Sequence, residues 1–290
     1  MNRRSALKAG LLGAAALVLS PGFARESEGV DAHARLASLE RRHGGRLGVA
    51  ILDTASGRQV MHRGDERFLM CSTFKLLAVA AVLARVDRGA ERLDRRIVIA
   101  PSALLEYAPV TRQHVGKPGM RVDELCQAAI TLSDNTAANL LLASLGGPAA
   151  VTSFVHGLGD SVTRLDRIEP ELNEGSPGDI RDTTTPGAML ATMQKALLGD
   201  VLAASSRQQL IAWLLACKTG GEQLRAGFSR DWVVGDKTGS GSHGETNDVA
   251  VVWPLARKPL LVTAYYVDSS ASSAERKRVL AEVGRIAASM

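Results

Sequence analysis

Five strand-like runs, two near the N-terminus and three near the C-terminus, flank a long series of helical segments, and this order predicts an α/β fold with an all-α region inserted into it. Runs that pair across that distance form an antiparallel five-stranded sheet, flanked by the N- and C-terminal helices. With 290 residues, 46% of them hydrophobic, the chain can bury a substantial core in one large domain or two interleaved ones. The expected division is a leader over residues 1–24, an α/β domain from 25–70 and 214–290, and an all-helical domain over 71–213.

The elements follow in chain order. Arg3 and Arg4 precede the apolar run Ala9–Leu19, and Gly22-Phe23-Ala24 supplies a small-residue cleavage site, so the first segment reads as an export signal. Its apolar run is too short to cross a bilayer. Asn2–Lys8 is similar to a twin-arginine signal, with Ala6 where such signals usually carry Phe, so that route and the general secretory route both stay open. The mature chain is expected to begin near Arg25 as a soluble periplasmic monomer with no membrane association. Asp31–Arg42 reads as an amphipathic helix with Leu36 and Leu39 inward, and Arg46–Leu52 and Arg58–His62 read as strands around the turn Asp53–Gly57. Thr73–Val86 is nearly all apolar after Lys75, which marks a helix buried on most faces.

Helices are expected over Val122–Ile130, Thr136–Leu145 and Pro148–Leu158, and over Pro186–Leu198, where Asp182–Thr185 offers capping side chains and Pro186 suits the first turn. A further helical run, Gln208–Ala216, is expected to end at Lys218, with Gly220 or Gly221 as its cap. Strands return at Trp232–Lys237, Asp248–Trp253 and Leu260–Val267, before a closing helix from about Ala274 to Ala287.

The formal charge of +5 invites a nucleic-acid reading, but Arg3, Arg4 and Lys8 leave with the leader, so 32 of the 35 basic residues remain against 30 acidic ones. Aromatic content is 4% and no basic stripe with interleaved aromatics occurs, which argues against nucleic-acid binding. His33, His43, His62, His114, His156 and His243 are scattered without metal-ligand spacing, so neither a metal nor another cofactor is expected. Cys71, Cys126 and Cys217 are odd in number, which leaves at least one thiol unpaired.

The chemistry is carried by Ser72-Thr73-Phe74-Lys75, Ser133-Asp134-Asn135, Lys237-Thr238-Gly239 and Glu169-Pro170-Glu171-Leu172-Asn173. Singly they are weak, since Ser-x-x-Lys should arise about once by chance in a chain of this size. Ser5–Lys8 in the leader and Lys218-Thr219-Gly220 after a helix are matches whose context rejects them. Ser72 opens the buried helix, Ser133 lies on a loop of the helical region and Lys237 ends a strand, so the segments converge on a cleft between sheet and helices. A serine hydroxyl needs a base, and Lys75, three residues along a helix, lies on the same face with its amine in reach. Burial and the nearby cation Lys237 should both lower the pKa of Lys75.

Order, spacing and context together resemble the class A serine β-lactamases from about residue 27 to the C-terminus, with a cefotaximase-like subgroup suggested by Cys71 and the run Lys237–Ser242. The resemblance implies a serine β-lactamase/D-Ala-D-Ala peptidase-like fold and hydrolysis of the amide bond of penicillins and cephalosporins through an acyl-enzyme, conferring antibiotic resistance. It implies Ser72 as nucleophile, Lys75 or Glu169 as its base, and Ser133 as proton donor to the lactam nitrogen. Asn135 would hold the substrate's side-chain amide. Lys237, Thr238 and Ser240 would meet the substrate carboxylate, Gly239 would let the strand edge approach the substrate, and Ser240 would complete an oxyanion hole with the N–H of Ser72.

Glu169 and Asn173 would position the deacylating water on an Ω-loop, residues 167–182, closed by an Arg167–Asp182 ion pair and containing a cis Glu169–Pro170 bond. Tyr107 matches the aromatic residue that gates the cleft.

The chain also departs from relatives. Thr246 stands where narrow-spectrum penicillinases carry an arginine and Gln223 where others place it, leaving Arg276, or Lys277 one register away, to supply the cation. Val79 and Gly241 replace the usual disulfide partners of Cys126 and Cys71. Efficient turnover of oxyimino-cephalosporins and poor turnover of carbapenems are expected from these features. A D-Ala-D-Ala peptidase shares the serine and lysine motifs but normally lacks the Glu169–Asn173 loop, and a β-lactam sensor needs a transmembrane helix to signal through.

Overall fold

The computed structural model describes residues 21–176 and 178–290, with side chains from residue 31 onward. Residues 1–20 of the expected leader, with Arg3, Arg4 and Ala9–Leu19, lie outside the described residues. Helix α1 spans Pro21–His43 and so begins ahead of the expected Asp31; proline suits such a first turn because its missing N–H would find no partner there.

Strands β1 (Arg46–Asp53) and β2 (Gln59–His62) come next, then the short β3 (Phe68–Leu69) and α2 (Phe74–Asp87). The middle of the chain holds β4 (Arg96–Ile99), β5 (Gly116–Arg121), α3 (Val122–Thr131), α4 (Asn135–Leu145), α5 (Pro148–Gly157), β6 (Thr183–Thr184), α6 (Pro186–Leu198) and α7 (Ala204–Leu215). The chain closes with β7 (Val233–Ser240), β8 (Thr246–Trp253), β9 (Leu260–Val267) and α8 (Ser273–Ala288). The five-stranded sheet has the order β2-β1-β9-β8-β7 with every neighbour antiparallel. Within the helical insertion β4 pairs with β5, and β6 pairs back to β3, adding two short ribbons that the sequence pattern did not announce.

Strand alternation divides the core in two. Ala50, Leu52, Val249, Val251, Leu261 and Tyr265 face the helical insertion, while Leu47, Val49, Ile51, Ala250, Val252, Val262 and Tyr266 face α1 and α8. Leu36 and Leu39 of α1 meet Val279, Leu280 and Val283 of α8 in that second layer, as their spacing predicts. Helix α2 is buried at every residue from Phe74 to Ala84. Each large apolar side chain it buries contributes about 1.5–3 kcal/mol, and Lys75, fully buried among them, requires partners to be tolerable there.

Helix ends follow local chemistry. Asp134 caps α4 by accepting from Ala137 N, Thr185 caps α6 with Pro186 behind it, and Ser272 and Glu275 form a capping box on α8. The expected glycine cap of α7 is corrected: the helix ends at Leu215 with Ala216 as its cap, whose negative φ of −81° needs no glycine. Gly220 answers to packing, since a Cβ there would lie 1.9 Å from the Asp236 carboxylate. Among the described residues no single helix is long and apolar enough to cross a membrane.

Candidate active site

Ser72 lies on a one-turn 3-10 helix, Cys71–Thr73, immediately before α2, so the nucleophile candidate stands at the helix mouth and not inside the α-helix. The turn is tightly held. Cys71 adopts φ +44°, uncommon for a residue with a side chain, and Asn247 on β8 donates from Nδ2 to the carbonyls of Leu69 (2.9 Å) and Met70 (3.2 Å). On the other side lies β7, where a Cβ on Gly239 would meet Met70 O at 2.8 Å. Gly239 therefore lets β7 close onto the turn carrying Ser72, a packing reason distinct from the substrate approach expected of it. The neighbouring Cys71 thiol is pushed far above its usual range by burial, and Cys71, Cys126 and Cys217 are all free and buried.

Three segments meet at the amine of Lys75. It donates to Ser133 O (2.8 Å), Ser133 Oγ (3.3 Å) and Asn135 Oδ1 (2.6 Å), and forms an ion pair with Glu169 Oε1 at 2.9 Å. The hydroxyl of Ser72 donates to the same Glu169 Oε1 at 3.3 Å. The expected contact from Lys75 to the Ser72 hydroxyl is absent among the described hydrogen bonds, because stronger acceptors engage the three ammonium protons. Burial pushes the pKa of Lys75 down, against the opposing pull of the Glu169 carboxylate. Lys237, also buried, donates to Ser133 Oγ at 3.1 Å, so one hydroxyl sits between two cations. Burial and then the Lys75 charge bring Lys237 down to about 8. Ser133 itself has φ +58°, and Asp134 accepts from Val110 N, Thr111 N and Thr111 Oγ1, which ties that loop in place.

Glu169 reaches this centre from the loop 167–182. Its Oε2 accepts from Asn173 Nδ2 at 2.5 Å, and Asn173 Oδ1 is buried without a partner among the described residues. Arg167 Nε pairs with Asp182 Oδ2 at 2.5 Å, and Asp182 Oδ1 accepts from Asp166 N (2.7 Å) and Arg167 N (2.9 Å), so the two ends of the loop are joined as expected. The Glu169–Pro170 bond is cis. Sequence reasoning missed Asn139, whose side chain brackets Glu169 by accepting from its N–H (2.9 Å) and donating to its carbonyl (2.8 Å). The available signal was an asparagine, a poor helix former, one turn after Asn135 inside an otherwise apolar helix.

At the rim, Tyr107 is half exposed, with its hydroxyl on Leu132 O (3.1 Å) and its carbonyl accepting from Asn135 N (3.1 Å). Thr238 Oγ1 lies 2.6 Å from Thr219 Oγ1, so the Lys-Thr-Gly triplet set aside as a chance match supplies a side chain to the site. Ser240 ends β7, exposed. Of the two candidate cations, Arg276 donates from Nε to Thr246 Oγ1 at 3.1 Å, and Lys277 pairs with Glu222 at 2.8 Å.

Taken as chemistry, the arrangement offers a serine hydroxyl on a carboxylate, a second hydroxyl between two lysines, and a carboxylate–amide pair able to hold a water. Among the described residues no three His, Cys, Asp or Glu side chains group as a metal site.

The chain matches the β-lactamase enzyme family over residues 31–289. It is 53% identical to Beta-lactamase L2 of Stenotrophomonas maltophilia over 87% of this chain and 83% of that one. Identity to Beta-lactamase CTX-M-25 of Escherichia coli is 48%, covering 88% of each. Among solved structures, an ancestral class A β-lactamase shares 63% of its residues at a TM-score of 0.87, with 88% of this chain and 98% of that one covered.

Proposed function

Because the chain belongs to the β-lactamase enzyme family, among its class A serine enzymes, we propose that Ser72, Lys75, Ser133 and Glu169 carry out the reaction by which it hydrolyses penicillins and cephalosporins. The activity is cleavage of the β-lactam amide through a serine acyl-enzyme, and it confers resistance to these antibiotics. The observation that carries the assignment is Glu169 Oε1, which accepts from the Ser72 hydroxyl and pairs with Lys75 at once.

In acylation the Ser72 proton passes to Glu169 Oε1 as Oγ bonds to the lactam carbonyl carbon. The N–H groups of Ser72 and Ser240 take the developing oxyanion, a contribution of about 3–4 kcal/mol per donor in such sites. As the C–N bond breaks, Ser133 gives its proton to the nitrogen and takes one back from Lys75, which is recharged by the proton held on Glu169, so Ser133 is a hydroxyl and Glu169 a carboxylate again before deacylation. Deacylation uses Glu169 and the unpartnered Asn173 Oδ1 to hold a water, whose proton goes to Glu169 while its oxygen attacks the ester; the C–Oγ bond then breaks and the proton passes from Glu169 to Ser72 Oγ, restoring the free enzyme. Asn135 receives the side-chain amide, with Tyr107 over the cleft. Lys237, Thr238, Ser240 and Arg276 receive the carboxylate, with Gly239 seating the strand. We further assign the helical domain to 71–213, the α/β domain to 25–70 and 214–290, and a monomer exported to the periplasm after loss of residues 1–24.

Lys237 gives the first test. With its pKa near 8 it is cationic below that pH and neutral above it, so kcat/KM for benzylpenicillin should fall as pH rises through about 8, chiefly by a rise in KM. Lys237→Arg, whose guanidinium stays charged, should extend activity to higher pH. A wild-type profile that stays flat to about pH 10 would show that Lys237 keeps an ordinary lysine pKa, and a Lys237→Ala variant with the wild-type KM would remove Lys237 from carboxylate binding.

Asp182→Asn tests the loop. It leaves Arg167 without its charged partner, so Glu169 and Asn173 lose alignment while Ser72 and Lys75 are untouched, and Lys75 can stand in as base for acylation but not for deacylation. Deacylation should slow by roughly 10–100-fold more than acylation, measured by pre-steady-state hydrolysis. An unchanged ratio of the two rates means that the pair does not hold Glu169 in place.

A further inference from the structure

Glu245 lies in the turn between β7 and β8 and is only 6% exposed. Its Oε2 accepts from His243 N at 2.9 Å, and its carbonyl accepts from Gly241 N at 3.2 Å, which closes the turn. A Cβ built on Gly241 would lie 2.3 Å from Glu245 Oε2 and 3.1 Å from Asn173 O, so the carboxylate fills the join between the end of β7 and the Ω-loop. No cation pairs with it among the described residues. Arg276, beside the same turn, is engaged by Thr246 and the Ala271 carbonyl. The carboxylate acts on its surroundings: it adds to the upward shift of the Cys71 thiol, the residue before the nucleophile.

An unpaired carboxylate in such a place is costly to bury, and its field is screened less than that of a surface charge. If Asn135 holds the substrate's side-chain amide, the substituent beyond that amide extends along the gap between Ser240–Gly241 and Asn173, past Glu245. We propose that Glu245 determines substrate specificity, favouring β-lactams whose acyl substituent carries an ammonium group over those that carry a second carboxylate there. This rests on the β-lactamase reading of the site and adds a charge preference to it. Through a medium between protein and water, a charge of this kind is expected to change the relative rate for opposite substituents by about tenfold.

The test uses the α-amino and α-carboxy derivatives of benzylpenicillin, which differ at one substituent. The wild type should show the higher kcat/KM for the amino compound. Glu245→Gln should reduce that ratio about tenfold, mainly through KM, and Glu245→Asp, which keeps the charge, should retain most of it; thermal melting of each variant reports its folding. Wild-type enzyme that hydrolyses both compounds equally well overturns the proposal, as does a folded Gln variant with the wild-type ratio, or an Asp variant that loses as much as Gln. Failure of the wild type to hydrolyse either compound would instead count against the activity itself, which keeps the two claims separable.

Discussion

Ser72→Ala is expected to lower kcat/KM for benzylpenicillin by on the order of 10⁴–10⁶-fold with little change in thermal stability. The hydroxyl it removes makes one hydrogen bond, to Glu169, from a turn whose shape is set by Met70, Asn247 and Gly239. Alanine fits that turn, so the loss falls on the chemistry: no Oγ remains to form the ester. Residual turnover would come from Glu169-bound water attacking the lactam directly, and would show neither a burst nor a covalent intermediate. A variant within about tenfold of wild type would exclude Ser72 as nucleophile.

Glu169→Gln is expected to separate the two half-reactions. Glutamine keeps the length and can still meet Asn173, but it removes the base from the water and the negative charge from Lys75. That charge now opposes the burial that pulls Lys75 down, so its loss leaves the amine neutral more readily, which is how a buried lysine relieves an unpaired charge. A neutral Lys75 can accept the Ser72 proton after a small side-chain movement, and acylation continues at a reduced rate. Deacylation has no such substitute. It should fall by roughly 10²–10⁴-fold from loss of the base alone, and further because the water loses one of its two anchors. Steady-state assays should then show a stoichiometric burst followed by almost no turnover.

Much of this site was legible because its motifs encode local geometry. The apolar run after Lys75 marks α2 as buried, the Ser-Asp-Asn triplet contains its own helix cap in Asp134, and Arg167 and Asp182 stand at the two ends of one loop. Strand alternation likewise exposes which residues of β1, β8 and β9 face each core layer. What could not be read were contacts created by chain crossings. Asn139 meets Glu169 across a separation of 30 residues, and Asn247 meets Leu69 across 178. Thr219 sits in a triplet whose motif context pointed elsewhere, yet the end of α7 delivers it to Thr238. Ser72 was expected to share a helical face with Lys75, but its 3-10 turn and the competing acceptors Glu169, Ser133 and Asn135 draw the amine elsewhere. Glu245 reads as an ordinary turn acid until β7, β8 and the Ω-loop close over it. In each case the deciding partner is far away in sequence, and residue type alone carries no signal of it.

The acyl-enzyme is tested most directly by the intact mass of Glu169→Gln mixed with benzylpenicillin, followed by peptide mapping of the product. One penicilloyl group per chain is expected, persisting while the wild type shows none at the same time point, and located on the peptide that carries Ser72. Wild-type turnover by the variant with no adduct, or an adduct on any residue other than Ser72, would contradict it.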